Sequence, residues 1–106
     1  MFEELEKWRI ACAEWLDLQE AADLLTDTKK ETFAEIASKI DAKSEAEKSR
    51  LALLSQDWKQ HNRAIIEANS KARRAKMREK YADKRFEAVR SMNANARAEL
   101  HKAKST

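Results

Sequence analysis

The chain of 106 residues contains no glycine, no proline and a single cysteine. Each absence removes a class of structure. Without glycine no inexpensive positive-φ position exists, so tight hairpin turns, phosphate-cradling loops and dinucleotide fingerprints are excluded. Without proline, no residue forces a helix to stop. One cysteine can neither close an internal disulfide nor complete a zinc site, which points to a reducing compartment. Apolar runs are also short, and the first residues are acidic rather than led by Lys or Arg. Neither a membrane span nor a signal peptide is therefore expected, and the expected location is the cytoplasm.

What remains favours helix. Charged residues make up 39% of the chain and 19 residues are alanine, so the expected fold class is all-α in one domain. The net charge of +3 hides an uneven division. Residues 1–54 hold 8 Lys/Arg against 13 Asp/Glu, and residues 55–106 hold 14 against 6. Large apolar residues divide the other way, with 19 of 25 before residue 67. The last third cannot bury a core of its own, so it must project, dock on a partner or pair with a second copy.

Hydrophobic periodicity predicts three helices, about 2–25, 29–54 and 56–103, packed as an antiparallel, coiled-coil-like bundle in which a short acidic hairpin lies on a long basic helix. In the first, Trp8, Ala11, Trp15, Leu18, Ala22 and Leu25 recur with 3-4 spacing. Thr28 with Glu31 reads as a capping box that opens the second helix. The polar stretch from Asp41 to Arg50 leaves two readings open, a continuous solvated helix or a break near Lys43, where Ser44 and Glu47 form another capping pattern. Ser55 is the expected N-cap of the third helix, with Asp57 in its first turn. Nothing then stops a helix for some 48 residues, roughly 70 Å at the standard rise. Its seam runs through Ile65, Ala68, Ala72, Ala75, Glu79, Ala82, Phe86, Val89, Asn93, Ala96 and Leu100. Glu79 and Asn93 there either fix register or oligomeric state or lie in solvent.

From Lys71 to Lys80 six residues are basic and one is acidic. Lys59, Arg63, Lys71, Arg73, Arg74, Lys76, Arg78, Lys80, Lys84 and Arg85 are expected opposite the alanine seam, with Ile66, Met77 and Tyr81 among them. Like charges four apart, such as Arg74 with Arg78 and Lys76 with Lys80, each cost an isolated helix a few tenths of a kcal/mol. Cations interleaved with an aromatic suit a phosphate backbone or an acidic protein surface. The plainer alternative is a face that is solvated or paired with Glu3, Glu4, Glu6, Glu14, Asp17, Glu20 and Asp23 of the first helix. Phe86, Val89, Met92 and Leu100 are the expected contacts of a homodimer.

No catalytic constellation is expected. His61 and His101 stand forty residues apart, Asp57 with His61 lacks a third metal ligand, and Cys12 lies within the Trp8 to Trp15 seam, where an inert thiol is the simpler reading. The serines have no histidine arrangement around them. The reading is a non-enzyme with no cofactor and no metal. Trp8, Trp15 and Trp58 are expected to form one aromatic core where the first helix meets the start of the third.

The segments Ala68-Asn69-Ser70-Lys71-Ala72-Arg73-Arg74-Ala75, Tyr81, Phe86-Glu87-Ala88-Val89-Arg90-Ser91 and Asn95-Ala96-Arg97-Ala98-Glu99 resemble small all-helical proteins of tailed bacteriophages, encoded beside replication and recombination genes. The resemblance implies an accessory protein of the bacterial cytoplasm that acts on DNA in recombination or replication, or inhibits a host protein.

Overall fold

The structure is a computed structural model and describes residues 2–104, with the side chains of residues 2–102. Four helices are present: α1 (Phe2–Asp27), α2 (Lys29–Ser38), α3 (Glu45–Leu54) and α4 (Gln56–Lys104). No strand and no positive φ occurs among the described residues, and the chain has no glycine to make positive φ inexpensive. The all-helical class is as expected. The count differs from three because the second predicted helix is broken: residues 39–44 lie outside any helix.

The helix ends show which local signals operate. Ser44 is extended at φ −142°, ψ 159°, and its hydroxyl accepts from the Glu47 amide, opening α3. Ser55, likewise extended, accepts from the Trp58 amide at 3.2 Å and opens α4. Both serines satisfy an amide that the first turn leaves unpaired. Thr28 behaves differently. Its φ of −88° and ψ of 3° carry the chain on from α1 to α2 with no side-chain cap, and the hydroxyl donates backwards to the Leu24 carbonyl at 3.0 Å. The expected Thr28/Glu31 capping box is thus not formed.

The chain divides into two compact units. Unit 1 comprises Met1–Leu16 with Arg73–Thr106, and unit 2 comprises Asp17–Ala72. In unit 2, the start of α4 meets α2: Trp58 is buried, lies edge-on to Phe33 at 5.0 Å between centroids and stacks on His61 at 5.8 Å. Lys29 sits over the Trp58 ring at 5.7 Å, and Ala22, Ala52 and Ala72 complete the buried set of this unit. The small residues allow close backbone approach but contribute little buried area each.

In unit 1 the first part of α1 runs antiparallel to α4, because Trp15, Cys12 and Trp8 meet Lys76, Glu79 and Phe86 in turn. Ala75 is the buried residue of this pairing. Trp8 and Phe86 stack with parallel rings at 6.0 Å. The three tryptophans therefore do not share one core, contrary to expectation. Trp8 and Trp15 pack on the middle of α4, while Trp58 belongs to the other unit. After Asn93 every described side chain of α4 is exposed, in keeping with the scarcity of large apolar residues there.

Candidate functional site

The site is built on α4 of unit 1. At about 100° per residue, Arg73, Arg74, Met77, Lys80, Tyr81, Lys84 and Arg85 fall within an arc of about 140° centred opposite the seam of Ala72, Ala75, Glu79, Ala82 and Phe86. All seven are exposed. The arc therefore presents five cations and no carboxylate, since Glu79, Asp83 and Glu87 all project outside it. Met77 at 72% and Tyr81 at 68% exposure place an apolar and an aromatic side chain in its middle.

Lys76 and Arg78 are engaged by α1. Arg78 is bound to Glu14 of α1, with Nη2 donating to Oε1 at 2.7 Å. Lys76 places its ammonium 5.5 Å from the centre of the Trp15 ring. These side chains flank the seam on either side and are long enough to fold back towards α1. The basic face is accordingly narrower than the sequence suggests. Internal pairing, the plainer alternative for this face, holds for Arg78. Lys71 stands in unit 2 and is exposed.

Beneath the arc, the seam carries a polar group. Glu79 is half-buried, and its Oε1 accepts from the Trp8 indole N–H at 3.0 Å and from the Cys12 thiol at 3.8 Å. Glu79 is therefore engaged within the chain rather than left in solvent. Burial, then the negative charge of Glu79 and its hydrogen bond, push the Cys12 thiol above its ordinary value. A nucleophilic cysteine needs the opposite, a neighbouring cation or base that lowers it.

Phe86 was expected at an interface between copies, but its ring is stacked on Trp8 inside the chain. Val89 is half-buried, whereas Met92 and Leu100 are 67% and 62% exposed. Of the four, the last two have the surface to meet a second copy.

An element that periodicity alone did not reveal is an open cleft of about 410 Å³ lined by Glu4 and Lys7 of α1 and by Tyr81, Ala82 and Arg85 of α4. It lies wholly within unit 1 and adjoins the arc through Tyr81 and Arg85. Spacing on one helix could nominate Tyr81, but it could not supply the two residues contributed by α1.

Among the described residues no group of three or more His, Cys, Asp or Glu is placed to hold a metal ion. No helix is long and apolar enough to cross a membrane among those residues. Comparison with protein-family profiles, curated proteins and solved structures gives no match.

Proposed function

We propose that the protein is a non-enzymatic accessory protein that binds nucleic acid through its phosphate backbone, without sequence preference, in DNA recombination or replication in the bacterial cytoplasm. The observation that carries the reading is the outer arc of α4. Arg73, Arg74, Lys80, Lys84 and Arg85 share one exposed face of α4, on which neighbouring like charges such as Lys80 and Lys84 repel each other. Phosphates convert that repulsion into binding, because each neutralised phosphate releases a counterion. Base specificity is not expected, since the short helix that follows the turn at 39–44, α3, opens with Glu45 and Glu47 rather than with residues suited to base edges. The process and the location follow from the resemblance to phage accessory proteins.

An electrophoretic shift assay tests this directly. Wild type is expected to retard both single- and double-stranded DNA at 50 mM salt, and Arg73/Arg74/Lys84→Glu to retard neither. Failure of the wild type to bind at that salt removes the proposal.

Met77 favours a second reading, a helical interaction module or inhibitor that docks an acidic protein surface on the same arc. A thioether as exposed as this one offers an apolar contact that a phosphate backbone does not use. Such a complex would tolerate salt better and would weaken on Met77→Ala. In either reading a homodimer through Met92 and Leu100, with Val89 beside them, gives the exposed end of α4 a partner. Light scattering of a chain truncated after Arg85 tests it, and an unchanged oligomer refutes it.

A further inference from the structure

The cleft beside the arc differs chemically from the arc itself. It is lined by Tyr81, Ala82 and Arg85 of α4 and by Glu4 and Lys7 of α1. An open, partly apolar space of about 410 Å³ is ample for one planar heterocycle. Tyr81, at 68% exposure, offers a ring face that packing does not cover. The Glu4 carboxylate makes this a poor place for a phosphate. The two cations stand at the same cleft. Arg85 belongs also to the outer arc, and Lys7 forms an exposed ion pair with Glu3 at 3.3 Å, a contact worth little in water and readily exchanged.

We infer that this cleft receives one unpaired nucleobase, stacked on Tyr81, while Arg85 and Lys7 hold the flanking phosphates, so that the preferred ligand is a single strand. The inference rests on the proposed backbone binding by the arc and adds the class of nucleic acid to it. A duplex keeps its bases stacked inside and can offer the cleft nothing, whereas a single strand presents π-faces of every base without regard to sequence. The phosphates of the same strand then follow the arc past Lys84 and Lys80. Stacking of this kind is sequence-tolerant, which agrees with the absence of any element shaped to read base edges.

The test compares four ligands by fluorescence anisotropy: a short single-stranded DNA, the matching RNA, an abasic strand of equal length, and the duplex. Wild type is expected to bind at least one of the base-bearing single strands about tenfold or more tightly than the abasic strand, and the DNA and RNA arms identify the polymer. Tyr81→Ala should remove that advantage while changing abasic and duplex binding less than about twofold, and Tyr81→Phe should restore it. Circular dichroism of both variants checks that the helices are retained. Equal wild-type affinity for base-bearing and abasic strands overturns the inference and leaves backbone binding standing, as does an equal loss for all four ligands in Tyr81→Ala. Absence of binding to any of the four overturns both.

Discussion

The two units of this chain use similar residues to opposite ends. Unit 2 carries 9 Lys/Arg against 11 Asp/Glu, and unit 1 carries 13 against 8, so a net +3 consists of −2 and +5. Unit 2 buries its tryptophan against an aromatic neighbour from another helix. Unit 1 leaves Trp8 and Trp15 half-exposed and joins its two helices through a carboxylate, an ion pair and a cation over a ring. Apolar packing is non-directional and scales with area, whereas these polar contacts fix register with little buried surface. The difference teaches that the basic helix is secured by its edges. Lys76 and Arg78 attach it to α1, and Arg73, Lys80, Lys84 and Arg85 are exposed.

Substitutions can break this contrast, beginning where the effect is greatest. Trp58→Ala removes the buried ring of unit 2 and should lower stability by about 3–5 kcal/mol, measured by urea denaturation. A loss no larger than that of Trp15→Ala would erase the distinction between the units. Glu79→Ala leaves the Trp8 indole N–H without its acceptor and should cost about 1–2 kcal/mol, whereas Glu79→Gln keeps an acceptor and should cost less than about 1 kcal/mol. Equal losses would show that the carboxylate acts through charge alone. Arg78→Ala breaks an ion pair whose side chains are both about half exposed, so a change of at most about 1 kcal/mol is expected. Cys12 should show the smallest effect. Because its thiol is held above the ordinary value, alkylation at mildly alkaline pH should run slower than that of an unperturbed thiol, and Glu79→Gln should quicken it. The linkage has a fixed sign. The folded state keeps the Cys12 proton where the unfolded chain has released it, so this contribution to stability is intact below the unfolded thiol value and falls as pH rises through the folded one. A thiol that alkylates faster in the wild type than in Glu79→Gln contradicts the arrangement.

Much of the backbone was legible because its signals are local. Ser44 and Ser55 cap as their positions suggest, and the absence of glycine and proline after Ser55 yields an uninterrupted α4 of 49 residues. Thr28 with Glu31 presents the same pattern but does not cap, because the backbone at Thr28 stays close to helical and turns the hydroxyl back to the preceding carbonyls. Side-chain partners were less legible than helices. Periodicity identified the faces of Trp8, Trp15 and Trp58, yet a face does not name what it meets, and two separate packings resulted. The angular position of Lys76 and Arg78 suggested an outward direction, but a long flexible stem can bring a charge back around the helix. The cleft at Tyr81 depends on two chain segments that are far apart in sequence, and no spacing rule joins them.

The central claim is that the outer arc of α4 exists to meet phosphates. Its most direct test is the salt dependence of DNA binding by wild type and by Arg73/Arg74/Lys84→Glu, measured by fluorescence anisotropy between 50 and 200 mM salt. If the five cations of the arc each meet a phosphate on duplex DNA, the log-log slope is about −4 to −5, and affinity falls about 500-fold across that range. The charge-reversed variant is expected to show no binding with its helix content unchanged. A slope near zero, or a variant that binds as well as wild type, contradicts the account.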